Sequence, residues 1–160
     1  MEEELCRTVN EIKKIRIDPN ASVDRMLTVP GGKLKDVTKL YWAGPAIRTP
    51  EASVSREDFA AGTIVTWFMD YSEIHYILGG KAEVTYRLAP LYLEEKSFTA
   101  EAGDVYVIPK GAMMQFKIDP SGPYKKMCIV MPGFLIDKYL KELPKDMVEA
   151  AFRKGINSYE

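Results

Sequence analysis

Between Asp24 and Met131 the chain is a succession of short runs rich in Val, Ile, Thr, Tyr and Phe, cut apart by clusters of Gly, Pro, Asp and Ser. β-branched and aromatic side chains suit a pleated, half-buried surface, and the punctuating residues suit turns, so each run reads as a strand. The candidates are RMLTV, DVTKLYWA, GTIVTWFM, EIHYIL, AEVTYRL, DVYVI, MMQFKI and KKMCIVM. No helical period separates them, which disfavours a parallel α/β sheet and leaves an antiparallel sandwich or barrel. Residues 43–62, AGPAIRTPEASVSREDFAAG, hold two prolines and many small polar residues and read as loop with at most one short strand.

The flanks have a different texture. Leu5, Val9, Ile12 and Ile15 recur at helical steps, predicting a short N-terminal helix. Beyond Pro132-Gly133, FLIDKYLKEL and KDMVEAAFRKGI predict a broken C-terminal helical segment over 134–157, lying on the sheet or on a partner. At 160 residues the chain is long enough for one well-cored unit and short for two, so one domain over 1–160 is expected, with its barrel at about 35–132.

Charge narrows the function classes. Lys plus Arg number 22 against 23 Asp plus Glu, with no long block of one sign, so no basic footprint for nucleic acid is visible. No apolar run is long enough to span a bilayer, and MEEELCRTVNEIKK is acidic where a secretory leader would be basic then apolar. A cytoplasmic protein with no membrane contact is expected. Cys6 and Cys128 are far apart, and with one histidine they form none of the usual zinc spacings. Both are expected to be reduced thiols, Cys128 simply buried.

The stretch EIHYILGG then poses a question. Side chains alternate along a strand, so Glu73, His75 and Ile77 share one face and Ile74, Tyr76 and Leu78 the other. Patterning alone turns the apolar trio inward and leaves Glu73 and His75 in water.

The surrounding residues resemble the two motifs of the cupin superfamily. Gly62, Glu73 and Gly80 are similar to the first motif, with Gly62 one residue closer than usual, and GDVYVIPKG is similar to the second through Gly103, Pro109 and Gly111. The resemblance implies an all-β, antiparallel jelly-roll barrel, and it reverses the register by pointing Glu73 and His75 into that barrel. The outward trio would then need cover from the terminal helices or from a second subunit. At the positions of the superfamily's metal-binding histidines stand Trp67, Met69 and Met114, so only Glu73 survives of the usual set. Indole and thioether do not replace imidazole for the usual divalent ions, which implies a metal-free pocket with no cofactor. A non-standard site of Glu73, His75 and Asp70 or Gln115 is the residual alternative. Among cupins, the acid-rich turn and IPKG look most like the EutQ-like branch.

In that register Met114, Phe116 and Ile118 point inward as a clean alternation, and Trp67, Met69 and Met114 line an apolar bowl carrying one carboxylate and one imidazole. Two residues apart on a strand means about 6–7 Å along the backbone, close enough for Glu73 and His75 to hydrogen-bond. Such a pair is suited to acid/base work in an isomerase, lyase or cyclase, with His75 titrating near neutrality; Tyr71, Tyr76 and Tyr106 are further donors. The expected ligand is a small organic metabolite touching Trp67, Met69, Tyr71, Tyr106, Met114 and Phe116. A non-catalytic ligand-binding cupin, or a structural one with a filled barrel, is the alternative. The resemblance also implies a homodimer.

Overall fold

A computed structural model describes residues 12, 14–20, 27–29 and 38–133. Ten strands follow one another: β1 (Leu27–Val29), β2 (Thr38–Arg48), β3 (Ser53–Phe59), β4 (Ile64–Phe68), β5 (Ser72–Gly79), β6 (Lys81–Arg87), β7 (Lys96–Glu101), β8 (Val105–Ile108), β9 (Met113–Ile118) and β10 (Tyr124–Met131). A six-stranded sheet runs β1-β2-β3-β10-β5-β8 and a four-stranded sheet β4-β9-β6-β7, with antiparallel pairing throughout. The chain repeatedly changes sheet, which is the jelly-roll form of an antiparallel barrel. No helix occurs among the described residues.

Two expectations from the sequence are corrected here. Residues 43–62 are mostly strand, because β2 continues to Arg48 and β3 occupies 53–59. The sequence SVSREDF hides a strand because its charges are answered within the sheet. Arg56 and Asp58 lie on one face and bond each other, while Glu57, on the other face, bonds Lys126 of β10. The N-terminal helix is the second: residues 14–18 are non-helical and run into a turn at Pro19-Asn20. The proline fixes its own φ and disfavours helical geometry in the residue before it. The earlier part of that expected helix, and the whole C-terminal segment 134–157, lie outside the described residues.

The inner faces meet in one core built from Phe59, Val65, Ile77, Val84, Phe116, Ile118, Tyr124 and Val130, among others. β9 shows the expected alternation, Met114, Phe116 and Ile118 buried against exposed Met113, Gln115 and Lys117. On the outside of the larger sheet, residues 14–20 cross β3 and β10. Arg56 Nη1 donates to the Asp18 carbonyl at 2.6 Å and Lys125 Nζ to that of Pro19 at 2.9 Å.

Gly80 is the hinge between the sheets, since β5 belongs to one and β6 to the other. Its φ of +79° lies in the left-handed region, and a Cβ there would collide with the Pro123 carbonyl. Only glycine meets both conditions. Gly111, at φ +89°, turns the chain into β9 and donates its N–H to the Met69 carbonyl at 2.6 Å.

Candidate functional site

β5 is buried at Glu73, His75 and Ile77 and open at Tyr76, so the acid and the imidazole point into the barrel. The register explains why. His75 lies opposite Tyr106 of β8 on one side and Cys128 of β10 on the other, and residues opposite each other in a sheet share a face. β10 alternates with Tyr124, Lys126, Cys128 and Val130 inward, and Glu57 lies opposite Lys126. Four adjacent strands, β3, β10, β5 and β8, therefore deliver a set of polar side chains to one stretch of inner wall.

The set is tightly bonded. Glu73 Oε2 lies 2.6 Å from His75 Nε2, His75 Nδ1 lies 2.9 Å from the Tyr106 hydroxyl, and that hydroxyl lies 2.9 Å from Tyr124's. Lys126 Nζ donates to Glu57 Oε1 at 2.6 Å and sits 4.3 Å from the centre of the Phe59 ring. The Cys128 thiol lies within reach of the same Glu73 carboxylate.

Electrostatics fix the direction of the chain. Burial pushes the Glu73 carboxyl up, but the His75 hydrogen bond and the charges of His75 and Lys126 outweigh it, so Glu73 is held below the usual carboxylate range. Burial, then Lys126, push His75 below its ordinary value, and the pull of Glu73 does not reverse that. Near neutral pH the pair is therefore an ionised carboxylate and a neutral imidazole. Since ionised Glu73 can only accept, Nε2 carries the ring proton and Nδ1 accepts from Tyr106. Burial and its neighbour Tyr124 hold Tyr106 far above the phenol range, and burial lifts Tyr124 to about 12. Both phenols stay protonated and the donors run Tyr124 to Tyr106 to His75 to Glu73. Burial and Lys126 thus hold His75 lower than its carboxylate partner alone would.

Linkage gives a measurable consequence. A neutral buried His75 and an ionised buried Glu73 both bind fewer protons folded than unfolded, so stability falls with acid. Loss should begin as pH drops through about 6.5, where the unfolded histidine takes its proton, and continue below about 4.5 through Glu73. Urea midpoints across pH check this, and in His75→Gln the upper part of the decline should vanish.

The remaining sequence candidates are placed as follows. Phe116 faces His75, with ring centres 5.9 Å apart. Met69, Tyr71 and Met114 are buried in the core, and Trp67 lies opposite Met114 across β4–β9 and is only partly buried. Trp67, Tyr86, Phe98 and Tyr106 form the partly open aromatic margin of the core, with Phe98 5.1 Å from Tyr106 and 6.1 Å from Tyr86. Glu57, Tyr124, Lys126 and Cys128 were missed as site residues. Period-two reading of YKKMCIVM would have turned Tyr124, Lys126 and Cys128 inward together, which is the signal that was available.

The chain has the following similarities to known proteins. A family model described as ethanolamine utilisation protein EutQ matches residues 58–132. Among solved structures, the Clostridium difficile EutQ protein is 19% identical over 60% of this chain and 70% of its own, with a TM-score of 0.46. The Schizosaccharomyces pombe Cnp3 cupin domain is 19% identical over 62% of this chain and 69% of its own, TM-score 0.49. Bacillus subtilis oxalate decarboxylase is 19% identical over 78% of this chain and 34% of its own, TM-score 0.50. The chain thus spans about a third of that decarboxylase. No curated protein sequence is significantly similar to the chain.

Fold and motif together are those of the cupin-type jelly roll. Within it, the similarity over residues 58–132 is to EutQ.

The superfamily's usual metal set does not fit these residues, because Trp67, Met69 and Met114 offer no imidazole or carboxylate at three of its four positions. No helix among the described residues is long and apolar enough to cross a membrane.

Proposed function

We propose that this cupin binds a small polar organic metabolite at the aromatic margin of its barrel and moves a proton on it, as an isomerase, lyase or cyclase does. The observation that carries the reading is the buried chain Tyr124–Tyr106–His75–Glu73, which ends in a carboxylate held ionised on the inner wall. Both nitrogens of His75 are occupied in this chain, so its lone pair is not free for substrate. Glu73, retaining slight exposure at 8%, is the proton acceptor and His75 the positioning residue that orients and steadies it. Tyr106 donates to the opposite side of the imidazole and so fixes its tautomer. Trp67, Tyr86 and Phe98 supply flat apolar surface beside it, the common form of a small-molecule site.

A positioned base of this kind contributes about 100- to 10,000-fold in rate. Glu73→Gln should therefore lower turnover by at least about 100-fold with the melting transition retained. His75→Asn should lower kcat more than it raises KM, because it acts through Glu73. The substrate is to be sought by mass spectrometry of molecules released on denaturing the purified chain. Turnover unaffected by Glu73→Gln would refute the catalytic reading.

Close burial of Met69, Met114 and Phe116 favours a second reading, a non-catalytic binding or structural cupin. Under it, Glu73→Gln and His75→Asn change stability alone, and nothing co-purifies. Exposed Tyr76, Val105 and Val107 on the outer face of β5–β8 support pairing with a second copy of the chain, and light scattering should then report a homodimer. A free, buried Cys128 accords with a cytoplasmic protein.

A further inference from the structure

Sequence spacing separates Cys128 from Glu73 and His75 by more than fifty residues. The β5–β10 pairing removes that distance by setting Cys128 directly opposite His75. One oxygen, one nitrogen and one sulfur donor then lie within 4.8 Å of one another, all on buried side chains. We infer that Glu73, His75 and Cys128 form a binding site for a thiophilic divalent ion of the zinc class, distinct in its ligands from the superfamily's usual set.

Donor chemistry comes first. Carboxylate, imidazole and thiolate are the three ligand types that zinc and cobalt accept together, whereas magnesium and calcium would reject the sulfur. Charge is the second consideration. Lys126 is answered by Glu57 at 2.6 Å, so the Glu73 carboxylate is left as an excess negative charge on the same wall. A divalent ion bound by that carboxylate, a thiolate and a neutral imidazole leaves the cluster neutral.

The surrounding hydrogen bonds are the third. Metal-bound histidine usually donates its other ring N–H to an outer partner that fixes the tautomer. Tyr106 lies 2.9 Å from His75 Nδ1 and can take that proton, because its own hydroxyl can turn to donate to Tyr124, also at 2.9 Å. Binding then moves the imidazole proton from Nε2 to Nδ1, reverses the sense of the phenol chain and expels only the Cys128 thiol proton to solvent. The Glu73–His75 separation of 2.6 Å is a hydrogen bond, which the ion would replace. The ion and the acid/base role of Glu73 therefore exclude each other, and the inference does not rest on that role.

The test uses the reduced, chelator-stripped 160-residue chain and Co²⁺ alone. A thiolate-to-cobalt charge-transfer band in the near ultraviolet should saturate at one ion per chain and disappear on adding Zn²⁺. It should survive Cys6→Ser and be lost in Cys128→Ser. Tyr106→Phe should weaken Co²⁺ binding by about 10- to 100-fold. Absence of the band, or its loss in Cys6→Ser, would overturn the site even if Cys128→Ser does not fold. Neither outcome bears on the turnover of Glu73→Gln.

Discussion

Replacing Glu57 by alanine should lower the unfolding free energy by about 3–5 kcal/mol, the loss expected when one partner of a buried pair is removed and the other is left charged. The Lys126 side chain has no solvent exposure and Glu57's has 15%, so the ammonium would face the barrel interior with its short bond gone. The Phe59 ring, 4.3 Å from Nζ, offsets only part of that loss, since a desolvated cation–π contact contributes about 2 kcal/mol. Urea denaturation should show the midpoint falling with an unchanged m-value. Removing both charges in Glu57→Leu with Lys126→Met should restore stability, because a packed apolar pair escapes the desolvation that a buried ion pair carries. The double variant should also let His75 titrate nearer its ordinary range, since Lys126, which holds it down, acts on it more strongly than Glu57, which lifts it. An NMR titration of His75 reads this. Recovered stability with an unmoved histidine would mean that the two removed charges cancel at the imidazole.

Apolar alternation made most of the barrel legible. β4, β5, β6, β8, β9 and β10 coincide with runs that the sequence marks plainly, and the glycines at 80 and 111 mark turns that need left-handed backbone. What stayed hidden was strand structure carried by charge. SVSREDF and KSFTAE look like loop because each has a single large apolar side chain, Phe59 and Phe98, and their neighbours are polar. In β3 those neighbours are satisfied by partners that local sequence cannot reveal, Lys126 being 69 residues from Glu57. The candidate site divides the same way. Glu73 and His75, two residues apart, could be read as a pair from the strand period and the motif register. Tyr124, Lys126 and Cys128 join them only through strand pairing, and pairing is what a one-dimensional pattern lacks. The titration of His75 divides likewise: burial, and after it the positive charge of Lys126 arriving from β10, oppose the proton that Glu73 alone would favour.

Asp58→Ala should be comparably destabilising, by about 3–5 kcal/mol, for a reason located on the opposite face of the same strand. Arg56 and Asp58 are 2% and 1% exposed and meet as two parallel bonds, Nε to Oδ1 at 3.1 Å and Nη2 to Oδ2 at 2.8 Å. The remaining guanidinium nitrogen, Nη1, donates to the Asp18 carbonyl, so the pair orients an arginine that in turn pins the N-terminal segment across β3. Without Asp58 the guanidinium keeps its charge, loses its planar partner and is free to turn away from Asp18. Two measurements separate the pair's cost from the anchor's. Thermal unfolding should register the lost pair, and amide exchange at Asn20, whose N–H bonds the Asp18 side chain, should quicken because that turn is released. Asp58→Asn keeps an acceptor for one of the two bonds and should cost less than alanine does. Arg56→Leu with Asp58→Leu should also release the turn, yet leave neither charge of the pair buried; it should therefore be milder than Asp58→Ala in stability and equal to it in exchange. If the double variant proves the harsher of the two, packing of the arginine stem, and not the Arg56–Asp58 ion pair, is what holds β3 in the sheet.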